Sequence, residues 1–136
     1  ICKKFVIREL HYGADNANFY LRLDLDANAI SQASELEARV SIEPKRDGGS
    51  TSRLRIKLEK CTAPIIEAHL GGAAIPAAAE AAFHRVLELR VALAALGVEP
   101  GGALRVEVSV WQSGLPVDAA PQQGWLDIST AEPSGI

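Results

Sequence analysis

Asn18-Phe19-Tyr20-Leu21-Arg22-Leu23-Asp24-Leu25-Asp26 is the stretch that decides the fold class. Successive side chains of an extended chain point to opposite sides, so Phe19, Leu21, Leu23 and Leu25 share one face and Tyr20, Arg22, Asp24 and Asp26 share the other. A segment apolar on one face and polar on the other is a half-buried strand. The turn-forming run Asp15-Asn16-Ala17-Asn18 starts it. Later segments repeat the pattern, and an all-β antiparallel sandwich of about eight strands, with one or two short helical turns, is the architecture that pairs such apolar faces.

Upstream, residues 3–12 read as a first strand, with Val6, Leu10 and Tyr12 on one side and Phe5 and Ile7 on the other; residues 13–17 turn it into a hairpin with 18–26. Downstream, 35–44 places Leu36, Ala38, Val40 and Ile42 inward and Glu35, Glu37, Arg39 and Ser41 outward, and Pro44 ends it. Residues 45–52 have the polarity and turn residues of an exposed hairpin tip. In 53–60, Leu54, Ile56 and Leu58 alternate with Arg53, Arg55, Lys57 and Glu59, a charged row that reads as a solvated face protecting a strand rather than as a binding patch. Residues 65–70 form a further short strand closed by Gly71-Gly72.

The signals then conflict. Pro76 and the alanines through Ala82 favour a helix, whereas Leu87, Leu89, Val91 and Leu93 keep strand periodicity. The reading adopted is an alanine-rich loop or single helical turn, a strand over 83–92, and a helical turn through Leu96 ended by Gly97; one long helix over 77–96 is the rival. Leu104, Val106, Val108 and Val110 form the cleanest inward row, opposite Arg105, Glu107, Ser109 and Trp111. Residues 113–124 read as a loop with Pro116 and Pro121, and 125–128 as a last short strand.

A chain of 136 residues fits one domain, and 48% hydrophobic with 23% charged residues argues against disorder. The chain opens at Ile1 and has no methionine, as expected of a piece cut from a longer polypeptide. A net charge of −3 and a pI near 5.6 provide no basic patch for nucleic acid or an anionic membrane. The apolar run over 71–82 is too short and too interrupted to span a bilayer. The compartment stays open. Cys2 and Cys61 lack the paired spacing of a zinc site; they form one disulfide if their strands are neighbours, or stay as two thiols.

Chemistry-bearing constellations are few. His11, His69 and His84 have no near neighbours in sequence and read as ordinary surface or interface histidines. No Gly-x-Ser-x-Gly elbow is present, and Gly71-Gly72 and Gly101-Gly102 are turns without the context of a phosphate cradle. Asp24 and Asp26 share a strand face and do not converge across a cleft as glycosidase carboxylates do. No cofactor is called for. Asp15, Asn16, Asn18 and Asp26 have calcium-type oxygens, but their spacing matches no standard loop and turn chemistry accounts for them. Trp111 and Trp125 flank a loop with Gln112, Ser113, Asp118, Gln122 and Gln123. Flat rings stack on sugar faces while amides and carboxylates bond hydroxyls, so this mixture suits a carbohydrate site; core or rim packing is the plainer reading of each tryptophan.

The segment 5–26, with Val6-Ile7-Arg8-Glu9-Leu10-His11-Tyr12-Gly13-Ala14-Asp15 leading into Phe19-Tyr20-Leu21, resembles the opening hairpin of DOMON-like and family 9 carbohydrate-binding sandwiches. Leu87-Glu88-Leu89-Arg90-Val91-Ala92-Leu93 before Leu96-Gly97 is similar to their strand-then-turn segment. The end, Trp111-Gln112-Ser113-Gly114-Leu115-Pro116-Val117-Asp118 and Pro121-Gln122-Gln123-Gly124-Trp125, resembles the C-terminal domain of bacterial glycoside hydrolase family 57 amylase-like proteins and of glucodextranase. The Pro-x-Asp and Pro-x-x-Gly-Trp pieces are its most specific part. The resemblance implies a non-catalytic accessory domain of an α-glucan-acting enzyme, whose partners are the catalytic domain of the same polypeptide and the glucan. Family 9 modules clamp a sugar between two tryptophans, which makes Trp111, Trp125, Gln112, Asp118, Gln123 and Tyr20 the expected sugar contacts. Haem-binding DOMON members use methionine and histidine, and the lack of methionine here argues against that use. The competing expectation is a purely structural domain that packs against its parent enzyme without touching sugar.

Overall fold

The computed structural model describes residues 6–26, 36–45, 50–58, 66–70, 79–83, 86–99, 101–121 and 124–130. Its strands are β1 (Ile7–Ala14), β2 (Asn18–Leu25), β3 (Leu36–Pro44), β4 (Ser52–Lys57), β5 (Ile66–Leu70), β6 (Ala79–Phe83), β7 (Val86–Ala92), β8 (Ala103–Gln112), β9 (Leu115–Ala120) and β10 (Leu126–Ser129). They make an all-β sandwich of two antiparallel sheets. The smaller has the order β1-β2-β7-β6; the larger has β10-β8-β3-β4-β5, with β9 also paired to β8. β10 covers Ala103 to Val106 of β8 and β9 covers Val108 to Gln112, so the two share one edge of that strand.

The alternation in the sequence becomes the core. Phe19, Leu21, Leu23 and Leu25 of β2 and Leu87, Leu89 and Val91 of β7 are buried on the inner face of the smaller sheet. Ala38, Val40 and Ile42 of β3, Leu54 and Ile56 of β4, and Leu104, Val106, Val108 and Val110 of β8 are buried on the inner face of the larger. All of these belong to one hydrophobic cluster. Burying a leucine or valine side chain in this way contributes about 1.5–3 kcal/mol.

The two sheets are also joined by a polar clamp. Asp118 on β9 accepts the amides of Val6 and Ile7, at the start of β1, on its Oδ2 at 2.8 and 2.9 Å, and the amide of Ala119 on Oδ1 at 2.8 Å.

Several expectations are corrected. There are ten strands among the described residues rather than about eight. Ala79–Phe83 is a strand, neither a helical turn nor part of a long helix over 77–96. Alanine's helix preference is a fraction of a kcal/mol per residue, and pairing of Ala79, Ala81 and Phe83 with Val91, Leu89 and Leu87 outweighs it. The stretch read as a loop over 113–124 contains β9. Ser113 and Gly114 both have positive φ, 52° and 79°, the signature of a two-residue hairpin turn that returns the chain along β8. Pro116 is tolerated because this is an edge strand, with a register shift between Val110 and Trp111. β1 starts at Ile7 and runs on through Gly13 and Ala14, so the turn is shorter than read. Leu93–Leu96 forms the expected short helical turn, closed by Gly97 at φ 74°. Cys2, Cys61 and His84 lie outside the described residues.

Candidate functional site

Among the described residues, a concave surface lies on the outer face of the smaller sheet. It is a shallow groove of about 530 Å3 that crosses all four strands and is lined by residues of β1, β2, β7 and β6. Register fixes its floor as two cross-strand rows. One row runs Gly13, Tyr20, Arg90, Glu80, and the next runs His11, Arg22, Glu88, Ala82. On β2, β7 and β6 the outward side chains alternate with Leu21, Leu89 and Ala81, which pack in or against the core, so separate strands present polar groups to one surface.

The groove combines an aromatic platform with donors and acceptors. Tyr20 is 42% exposed, and Tyr12, on the edge strand, is 44% exposed. The Tyr20 hydroxyl donates to Asp15 Oδ2 at 3.0 Å and accepts from Asn18 Nδ2 at 3.4 Å. Asp15 is itself fixed by the turn, since its Oδ1 accepts the amides of Ala17 and Asn18 at 2.8 and 2.7 Å. Those amides, Asn18's foremost, hold its carboxyl below the usual carboxylate range. The Tyr20 ring is therefore held in place before any ligand arrives. Beside it, Arg90 Nη2 pairs with Glu80 at 2.8 Å. Arg22 and Glu88 face each other across β2 and β7, and neither has a hydrogen-bond or ion-pair partner among the described residues. Two arginines and two glutamates leave the floor without net charge when His11 is neutral.

The tryptophans lie elsewhere. Trp111 and Trp125 are half-buried on the outer face of the larger sheet, and each carries a guanidinium on one ring face. Arg39 Cζ is 3.8 Å from the Trp111 centroid, and Arg105 Cζ is 4.8 Å from that of Trp125. Those arginines are themselves tied. Arg39 and Arg55 both pair with Glu37, and Arg105 Nη2 pairs with Glu43 at 2.8 Å. Trp111 Nε1 donates to Ser109 Oγ at 2.9 Å. Hydrogen bonding chiefly from Arg55 lowers the Glu37 carboxyl's pKa and raises that of Arg55 in return. Thr51 first and Arg105 second lower Glu43. Trp111 and Arg105 are six positions apart on β8, about 20 Å at strand rise, so the two indoles do not face each other across one sugar ring.

The six expected sugar contacts thus divide. Tyr20 lies in the groove, and Trp111 and Trp125 lie on the opposite side of the molecule. Gln112 points to the other side of β8 from Trp111, level with buried Leu36. Asp118 is occupied at the seam between the sheets, and Gln123 lies outside the described residues. His11, Arg22, Glu80, Glu88 and Arg90 were not singled out from the sequence for a ligand. Arg22 and Tyr20 sat on the same polar strand face, but only the pairing of β2 with β7 brings Glu88 and Arg90 to them.

No family model and no curated protein matches this chain. The groove's chemistry is therefore the guide to its use. Among the described residues no three His, Cys, Asp or Glu side chains gather as a metal site, and no helix is long and apolar enough to cross a membrane. Asp15, considered for calcium, spends both carboxylate oxygens on the turn and on Tyr20.

Proposed function

We propose that this chain is a non-catalytic carbohydrate-binding sandwich, an accessory domain of an α-glucan-acting glycoside hydrolase, and that the sugar lies in the groove of the smaller sheet. The observation that supports this reading is the pre-positioned, exposed Tyr20 ring beside Arg22, Glu88 and Arg90. A sugar ring presents an apolar face and a rim of hydroxyls. An aromatic platform accepts the first, and a guanidinium next to a carboxylate serves hydroxyls as acceptors and as donors. The α-glucan assignment comes from the resemblance of the chain's two ends to amylase-associated domains. The opposite face, with Arg39 over Trp111 and Arg105 over Trp125, has the arginine and tryptophan content favoured in protein interfaces and suits contact with the catalytic domain.

Isothermal titration calorimetry with maltohexaose, and with cellohexaose as control, tests the reading on the parent protein and on Tyr20→Ala, Trp111→Ala and Trp125→Ala. Loss of the Tyr20 platform lowers affinity about tenfold or more, as expected for about 1.4 kcal/mol of stacking and buried area. The tryptophan variants keep the parent affinity. Heat of binding that survives Tyr20→Ala and vanishes with either tryptophan would move the site to the other sheet. No heat with any glucan would leave the purely structural domain as the reading.

A further inference from the structure

We propose that the groove is open at both ends and grips an internal stretch of a glycan chain rather than a chain terminus, with the chain running on the diagonal from Gly13 to Ala82. This rests on the carbohydrate reading above and adds to it the mode of recognition. The two floor rows end unequally. The first row ends in Gly13 on β1 and Glu80 on β6; the second ends in His11 on β1 and Ala82 on β6. β1 and β6 are the edge strands of the sheet, so the two smallest residues of the floor rows occupy diagonally opposite corners. His11 and Glu80 occupy the other two.

A line joining the small corners passes over Tyr20 on β2 and Glu88 on β7, with Arg22 on one flank and Arg90 on the other. It therefore meets the fixed aromatic ring first and the free carboxylate next, with a guanidinium on each side. Three strand spacings and one two-residue step make its length about 16 Å, the reach of a short oligosaccharide rather than of a single sugar. Recognition of a terminus needs a wall and converging polar groups around the last ring. A Cβ placed on Gly13 meets no heavy atom within 4 Å, and Ala82 is exposed, so among the described residues neither corner is walled. The φ of Gly13 lies outside the positive range that favours glycine. What glycine contributes there is an absent side chain.

The same geometry supplies the test. Gly13→Trp and Ala82→Trp put a wall at either corner and leave Tyr20, Arg22, Glu88 and Arg90 in place, and circular dichroism checks that both variants fold. Calorimetry compares maltotriose, maltohexaose and maltohexaose reduced with borohydride, which destroys the terminal ring. The expected result is equal affinity, within about twofold, for native and reduced maltohexaose, with tighter binding of the hexasaccharide than of the trisaccharide. Each tryptophan wall then lowers maltohexaose affinity about tenfold while changing maltotriose little. Loss of binding on reduction, or full maltohexaose affinity in both walled variants, overturns the open groove while leaving carbohydrate binding standing. Failure of every glucan to bind the parent protein overturns the carbohydrate reading and this inference with it.

Discussion

Asp118→Ala separates a clamp from a ligand contact. The carboxylate accepts three amides, two of them, on Val6 and Ile7, at the start of the strand that edges the smaller sheet. A hydrogen bond to a charged group contributes about 1.5–3 kcal/mol. This carboxylate is half-buried, so water takes over part of the loss, and the low end applies to each inter-sheet bond. The expected destabilisation is about 2–3 kcal/mol, and for a domain of this size that lowers the melting temperature by about 10 °C. Asp118→Asn retains a single acceptor oxygen and loses about half as much. Thermal unfolding followed by circular dichroism gives the stability change, and hydrogen exchange at the Val6 and Ile7 amides reports the clamp directly, because those two amides lose their acceptor. Under the proposed carbohydrate reading, sugar affinity stays at the parent value, since Asp118 is not among the groove's lining residues. A variant within about 0.5 kcal/mol of the parent, or one that loses sugar affinity with an unchanged melting temperature, refutes the clamp.

Glu37, nearly buried and paired with Arg55 and Arg39, has its pKa lowered in the fold. Its contribution to stability is present above the ordinary glutamate range and is lost as pH falls through the depressed folded value; urea midpoints measured from neutral to acid pH fall for the parent more steeply than for Glu37→Gln, and parallel slopes would argue against the linkage. Gly97→Ala places a Cβ at φ 74°, where the cap amides reach Ala94 and Leu93, and costs about 1–2 kcal/mol in chemical denaturation; a neutral result would mean the turn rebuilds without a left-handed residue.

Inward rows were the legible part of the sequence. Phe19 to Leu25 and Leu104 to Val110 each keep strict alternation, and both are core strands of the structure. The illegible part was set by neighbours distant in sequence. Ala79–Phe83 has no alternation of its own that sets it apart from an alanine helix, and its strand character comes from pairing with β7. β9 was hidden by Pro116 within it and Pro121 after it, while Ser113-Gly114, which turns the chain back, looked like any polar loop residue pair. Asp118 looked like a sugar ligand because it stood among glutamines and tryptophans. Its acceptor role toward Val6 and Ile7 spans 112 and 111 residues of sequence.

The same limitation explains why the tryptophans stood out in the sequence. Alternation tells which residues share a face of one strand, but not which sheet that strand joins or what lies beside a ring. In the fold, Arg39 reaches Trp111 only because β3 lies along β8 with Arg39 opposite Ser109. A sugar stacking on that covered face must displace a guanidinium in van der Waals contact. The displacement gives up about 0.5–2 kcal/mol of cation–π attraction and disturbs the Glu37 ion pairs of a carboxylate with little access to water. Tyr20 imposes no such cost. Its one strong partner, Asp15, holds the hydroxyl at the rim and leaves the ring's exposed surface to a ligand. With stacking gains of the same order as the displacement loss, the covered tryptophan faces start near zero and the tyrosine starts with its full gain, which favours the groove over the indoles as the place for a sugar.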